Sequence, residues 1–420
     1  MTQKTQRTDR RVARHSSPRR RLFVDVSLIS RSDAGTGIQR VVRAVWQALL
    51  EDPTRDFELV PVAGFRFGGY RRIRPDFLRS PVSRWIVPNP GNALRPQRGD
   101  VFLGLDLAPH VVTRSARQLA RWRARGLHLA FVIYDLLPLQ RPDWFTPTAR
   151  MRFAAWFDTI AHLSDNLLCI SAAVRDDLGA ALASSTPSRA GKPRLATLRL
   201  GGALAQSCPS RGLPDDVDEL LAWVAGAPTV MVVGTIEPRK GHDDALAAFE
   251  QLWARSGGPH PRLLLVGRPG WGTEVLQERL RGHTATGTDL RWLTCASDEL
   301  LDRLYTACHG VMIPSRAEGF GLPLLEAACH RKPIFARDLP VFREFAPPEV
   351  AWFEDATPDA LARAIEGWLD AGLPTSDVER GYDWAEVPRQ LKQALDLGSL
   401  GPGESGRQGA DAKGLAKSPH

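Results

Sequence analysis

The segment PSRAEGFGLPLLE, residues 314–326, carries two glutamates, Glu318 and Glu326, with seven residues between them, and Gly319, Phe320 and Gly321 directly follow the first. An ionised carboxylate only accepts hydrogen bonds, so a pair of them is matched to a ligand rich in hydroxyl groups. Glycines on both sides of an aromatic let backbone amides come close to such a ligand. Each glutamate alone reads as a capping acid or a solvent-facing helix residue. Together, around Gly-Phe-Gly, they point to a site that holds an activated sugar by its hydroxyls.

A second group lies in VGTIEPRKGHDDAL, residues 233–246, where Arg239 and Lys240 stand just before a helical pattern. A helix N-terminus is the positive end of the macrodipole and favours acids, as Asp243 and Asp244 illustrate. Two cations there run against that preference, and a bound diphosphate would reconcile them. In DVSLISRSDAGTGIQRVV, residues 25–42, Gly35 and Gly37 open another helix after a strand. Amides at such a start suit a phosphate, although a strand-to-helix turn needs glycine for its geometry too. Ser171, in CISAAVRDDL, is an N-cap with no triad partner identifiable from the sequence.

These groups sit at the ends of short apolar runs. Runs at 22–29, 57–63, 101–105, 128–134 and 166–170 are followed, after a break, by others at 229–234, 262–267, 289–293, 310–314 and 333–336. Amphipathic helical patterns such as 37–50, 242–254 and 298–308 lie between them. Continuous apolar strands alternating with helices predict an α/β fold with doubly wound parallel sheets. A Gly/Pro/Ser/Asp-rich stretch at 201–217 divides the pattern, giving domains over 22–205 and 206–383 and a last helix over 384–396. Ligands of such sheets bind beyond the carboxyl ends of the strands, where the three motifs fall.

Composition narrows the class. The chain has 420 residues, is 43% hydrophobic and has a net charge of +8. Residues 1–21 hold eight Lys or Arg against one Asp, so nearly all of that charge is in one tail on a near-neutral body. That distribution argues against nucleic acid and for either a solvated tail or peripheral contact with an anionic membrane. The segments 1–21 and 397–420 are expected to be disordered. No run of 18 apolar residues occurs, and five scattered cysteines lack metal-ligand spacing, which predicts a reduced, cytoplasmic protein, soluble or peripheral at the inner membrane.

The motifs GTIEPRKGHDDAL and PSRAEGFGLPLLEAACHRKPIFARDLPVFRE resemble the retaining glycosyltransferases of family 4, whose GT-B fold sets two Rossmann-like domains face to face. The resemblance covers about 22–396. VDVSLISRSDAGTGIQRVVR and YDLLPLQRPDWF (134–145) look like the subset that assembles bacterial surface polysaccharides, notably O-antigen mannosyltransferases. It implies that Arg239 and Lys240 hold the donor diphosphate and that Glu318 faces the donor sugar. The amides of Gly319, Phe320, Gly321 and Leu322 would meet its hydroxyls and phosphate, and Glu326 would bind the nucleotide ribose. Gly37 would approach the diphosphate from across the cleft, and helix 384–396 would cross back onto the first domain.

One departure concerns the reacting centre. Many family members have a histidine at the end of the strand occupied here by 128–134, where this chain has Tyr134 and Asp135. His128 is roughly 20 Å away, at the wrong end of the strand. Asp135 either orients or deprotonates the acceptor hydroxyl, or is a turn acid before Pro138. The expected reaction is metal-independent transfer of a hexose from a nucleoside diphosphate sugar, GDP-mannose on family likeness, to a glycan or lipid-linked acceptor. The alternatives are a sugar-nucleotide epimerase of the same architecture, a non-catalytic nucleotide-sugar binder and a nucleic-acid-binding protein.

Overall fold

A computed structural model of the chain describes residues 19–54, 56–66, 69–79, 93–184, 192–255, 260–354, 356–372 and 383–397. Two sheets organise it. The first contains β1 (Arg21–Asp25), β2 (Glu58–Phe65), β3 (Gly69–Arg72), β4 (Val101–Gly104), β5 (His128–Ile133), β6 (Asn166–Cys169) and β7 (Arg194–Thr197), in the order β3-β2-β1-β4-β5-β6-β7. The second contains β8 (Thr229–Val233), β9 (Arg262–Val266), β10 (Leu290–Leu293), β11 (Gly310–Ile313), β12 (Ile334–Arg337) and β13 (Ala351–Phe353), in the order β10-β9-β8-β11-β12-β13. Every pairing is parallel except β2 with β3. Strands of continuous apolar character, such as Val101–Gly104 and Gly310–Ile313, are buried along their whole length, as helices on both faces require.

Several boundaries differ from those expected. The antiparallel edge strand β3 breaks the all-parallel pattern, and β7 and β13 are too short to stand out as apolar runs. Residues 19–21 belong to the fold rather than to a tail: Arg20 donates to the carbonyls of Gly99 and Asp396, and Arg21 pairs with Asp100 at 2.6 Å. The remainder of that tail, 1–18, and residues 398–420 lie outside the described residues, whereas Leu397 is buried. The stretch 201–217 is packed at its start, with Gly201, Gly202, Leu204 and Ser207 buried, and largely exposed from 208 onward. A Cβ at Gly201 would lie 2.5 Å from the Trp384 ring, and one at Gly202 would lie 2.6 Å from Leu325.

The last helix is a 3-10 turn, Trp384–Glu386, leading into Val387–Ala394. It does cross to the first domain, where Asn166 donates to the Ala394 carbonyl at 2.8 Å and Lys392 pairs with Asp52 at 2.8 Å. Its Val387 and Leu391 join an apolar cluster that includes Leu22 and Val24 of β1 and Leu324 and Leu325 of the second domain. One core therefore runs through both halves.

Two buried carboxylates shape the loop that leads from β1 to helix Gly37–Glu51. Asp25 accepts hydrogen bonds from the Ser27 amide at 3.0 Å and the Tyr70 hydroxyl at 2.6 Å. Asp106, after β4, accepts from the amides of Leu28 and Ile29. The helix itself starts with a capping box in which Thr36 and Gln39 satisfy each other's backbone amides. Burial raises the Asp25 pKa from 3.8 to about 7, against the lowering effect of its hydrogen bonds to Ser27 and Tyr70.

The native state thus keeps a proton on Asp25 that the unfolded chain loses near pH 3.8. The stability tied to this proton is full below that pH and falls as pH rises to about 7. The buried His242, whose pKa burial and Lys240 lower to about 3, contributes with the opposite slope. Comparing wild type with Asp25→Asn isolates the aspartate. In urea unfolding, wild type should lose about 3 kcal/mol relative to the variant between roughly pH 4.5 and 7.5. A difference constant with pH would contradict the buried-proton assignment.

Candidate active site

Strand order reverses between β8 and β11, the hydrogen-bonded neighbours at the centre of the second sheet. At such a switch point the two following loops diverge and leave a crevice. The loop after β8 carries Arg239 and Lys240, and the loop after β11 carries Glu318. Their close approach needs glycine. Gly241 has φ +67°, and a Cβ there would lie 2.1 Å from the Pro314 carbonyl oxygen.

The two loops meet through one carboxylate. Glu318 accepts from Arg239 at 2.8 Å on one oxygen, and from Lys240 at 2.5 Å and the Ser315 hydroxyl at 2.8 Å on the other. Glu237 contributes a second acid to Arg239 at 3.3 Å. Burial pushes the Glu318 pKa up, but Lys240 and Arg239 outweigh it and hold the group at about 2. Burial opposes charge on Arg239 as well, and Glu318, Glu237 and Asp135 reverse it, raising its pKa above the ordinary value. From the sequence, a bound diphosphate is expected to reconcile the two cations; in the structure Glu318 and Glu237 balance them. An anionic ligand at Arg239 and Lys240 competes with Glu318, and displacing that carboxylate frees its oxygens for hydroxyl groups.

The first domain supplies the opposite wall. A Cβ on Gly319 would lie 1.8 Å from the Tyr134 carbonyl oxygen and 3.1 Å from the Asp135 Cβ, so the segment after β5 rests on the Glu318 loop. Ser171 caps its own helix by accepting from the Val174 amide at 3.1 Å, and it also donates to the Gly319 carbonyl at 2.8 Å. That second bond crosses between domains and has no signature in the sequence. Asp135 accepts from the Leu137 amide at 3.1 Å, as a turn acid does. Its pKa is raised, chiefly by burial; Arg239 opposes the rise, and Glu318 and Glu237 add to it. The hydrogen bond to Leu137 is the one expected of Asp135 as a turn acid.

The glycine-rich stretch is placed backbone-first. Phe320 is buried, with its ring 4.5 Å from that of Phe345, so its side chain serves the core. Gly321 precedes helix Leu322–Cys329 at φ +108°, where a Cβ would lie 2.4 Å from the Phe342 ring. Gly37 faces Leu322 across the domain boundary, with its Cβ position 3.6 Å from that side chain.

Glu326 lies deeper. One oxygen accepts from Arg40 and the other from the Tyr305 hydroxyl at 2.9 Å, and its side chain is 1% exposed. A ribose at this carboxylate has to displace or share Arg40. Arg40 also pairs with Asp298 at 2.8 Å, and Asp298 in turn binds Arg43 at 2.8 Å and both the amide and the hydroxyl of Ser210. Arg40 and Arg43 follow Gly37 at three and six residues on one helix face, a spacing that marks them as partners for a common surface. The sequence reading passed over both.

Comparison with known proteins places this geometry. Residues 218–381 match the family model described as glycosyl transferases group 1. Over 387 residues the chain is 38% identical to the serotype-specific mannosyltransferase WbdA of Escherichia coli, covering 90% of this chain and 46% of that protein. The chain thus spans about half the length of these mannosyltransferase relatives. The O-antigen chain mannosyltransferase B of Escherichia coli is 38% identical over 119 residues, 28% of this chain and 30% of its own. Among solved structures, HepE of Anabaena in complex with UDP and glucose superposes with a TM-score of 0.60 at 16% identity, covering 90% of this chain and 99% of that one. Sucrose-phosphate synthase of Thermosynechococcus elongatus gives 0.57 at 17% identity, covering 90% and 94%. Two facing Rossmann-like domains of this kind constitute the GT-B fold, and residues 218–381 form a glycosyl transferases group 1 domain.

Proposed function

We propose that the chain is a retaining hexosyltransferase that moves mannose from GDP-mannose to a growing glycan or lipid-linked acceptor in surface-polysaccharide synthesis. The observation that carries this reading is the convergence of Arg239, Lys240 and Glu318 at the switch point, with Asp135 of the other domain beside them. The names of the relatives, serotype-specific and O-antigen mannosyltransferases, support the sugar and the pathway class.

The chemistry follows from charge. As the anomeric bond breaks, negative charge builds on the departing diphosphate. Arg239 and Lys240 oppose it from fixed positions in a partly desolvated crevice, where preorganised charges act most strongly. Binding of the diphosphate draws both cations away from Glu318, whose oxygens then turn to the sugar hydroxyls. The amides of Gly319, Gly321 and Leu322 line the same turn. Asp135 sits where an acceptor hydroxyl approaches from the first domain and takes its proton. The two cations supply the charge that a metal would otherwise provide, so the reading includes metal independence. No described helix is long and apolar enough to cross a membrane. Peripheral contact at the inner membrane rests on the charge of residues 1–21 alone.

Lys240→Ala and Glu318→Ala should each reduce sugar transfer by at least ~100-fold in a radiolabelled-donor assay while circular dichroism stays native. Near wild-type transfer in either variant would remove the assignment. Transfer should also persist in EDTA; loss restored by manganese would overturn metal independence. For Asp135 the raised pKa gives the acid limb of kcat/KM a midpoint above 3.8, with activity rising as pH climbs through it. Asp135→Asn should abolish that limb and slow transfer by roughly 100-fold or more. An unchanged pH profile would leave Asp135 as a turn residue only.

A further inference from the structure

The segment that begins at Tyr134 and Asp135 touches the second domain at another point. It continues through Leu137–Gln140 and the 3-10 turn Pro142–Trp144 to Phe145. There Trp271, from the loop after β9, donates its indole N–H to the Trp144 carbonyl at 2.7 Å. Its ring lies 6.0 Å from that of Phe145, tilted by 37°. The Trp271 loop is fastened to the loop that bears Arg239 and Lys240: the Gly270 amide and the Thr273 hydroxyl both donate to the Ile236 carbonyl, at 3.1 and 2.8 Å. One first-domain segment therefore meets the Glu318 loop at Gly319 and, at Trp271, the loop fastened to the one that bears Arg239 and Lys240.

Exposed apolar side chains flank this second contact in the sequence. Four large hydrophobic side chains are exposed among the described residues, and three of them are Met151, Trp271 at 38% and Val275. Trp271 is in the contact itself, while Met151 and Val275 lie on the two helices that follow the contacting segments, Pro147–Leu163 and Glu274–Arg281. Arg141 stacks over Trp144 at 3.7 Å and pairs with Asp143 at 2.9 Å, with both side chains about half exposed. Flat aromatic surface edged by exposed donors and acceptors fits a ligand with an apolar face and a polar rim. A hexopyranose is such a ligand, with C–H bonds on its face and hydroxyls at its edge. Exposed Asp143 and Glu274 beside the rings disfavour an anionic bilayer on the same patch.

We propose that Phe145 and Trp271 form a platform for a sugar ring of the acceptor glycan, set back from the ring that receives the transferred hexose. This rests on the proposed transfer reaction. Asp135, ten residues before Phe145 on the same segment, takes the reacting hydroxyl, and the chain already built extends from it towards the two aromatic rings. The rings are held by backbone anchoring before the ligand arrives, so little side-chain freedom is lost on binding. A platform of this kind favours acceptors longer than one sugar.

Calorimetric titration of the intact chain with mannose and with an α-linked mannotetraose tests this, alongside GDP-mannose as a separate ligand. Wild type should bind the tetrasaccharide more tightly than mannose. Trp271→Ala and Phe145→Ala should each weaken the tetrasaccharide by about tenfold and leave GDP-mannose and mannose unchanged. Trp271→Phe, which keeps a ring but loses the indole N–H, should retain most of the affinity. Equal tetrasaccharide binding in the alanine variants, or no length dependence in wild type, would overturn the platform. Parallel losses of GDP-mannose binding in Trp271→Ala and Trp271→Phe would make the contact a domain clasp instead. Weaker co-sedimentation of Trp271→Ala with phosphatidylserine vesicles, at unchanged glycan affinity, would make it a membrane contact. Failure of wild type to bind GDP-mannose would count against the transfer reaction, while the length dependence would still report on the platform.

Discussion

The ion pairs of Glu318 with Arg239 and Lys240 are the constraint around which the rest of the cleft is arranged. Isolated, two cations at the edge of a helix N-terminus in a partly buried crevice would be unfavourable. A shared carboxylate makes them tolerable and fixes the separation of the loops after β8 and β11. It also keeps Glu318 ionised at neutral pH, because the cations hold its pKa at about 2. The arrangement is neutralised from within but by a partner that can be exchanged. A diphosphate offers the same cations more oxygen acceptors, and the carboxylate it releases is an acceptor-only group next to amide donors. Under the proposed function, ligand binding and assembly of a sugar site are one event.

The same logic recurs at the domain boundary. Arg40 reaches from the first domain between Glu326 and Asp298 of the second, and Arg43 completes the link. Buried ion pairs of this kind add little net stability over apolar packing but penalise misalignment strongly, since separation strands charges away from water. They set the register of the two domains. A continuous apolar core and the returning helix Val387–Ala394 supply the cohesion. Packing holds the halves together, and charge decides how they face each other.

Glycines permit this closeness at defined places. Gly241 lets the β8 loop lie on the Pro314 carbonyl, and Gly319 lets the segment after β5 lie on the Glu318 loop. A methyl group at either site would push apart strands of backbone that carry opposing site residues. The glycine directly after Glu318 consequently allows the two domains to touch.

Much of this was legible in the chain of residues. Strand and helix periodicity determined the two α/β halves, because apolar runs and amphipathic helices are local consequences of which faces must be buried. The motif residues Arg239, Lys240 and Glu318 stood out because their chemistry is costly without a purpose, and the ends of the apolar runs showed which edge they occupy. Phe320, by contrast, kept only its backbone at the site, since its ring found a partner in Phe345, far away in sequence. The pairing of Glu318 with the cations, the Arg40–Glu326–Asp298 link, the Ser171 bond to Gly319 and the meeting of Trp271 with Trp144 all join residues 78 or more positions apart. A sequence specifies which groups are able to pair. Only the packing of two sheets against a shared core decides which of them lie within reach, because those distances arise from the whole fold and from no local stretch of it.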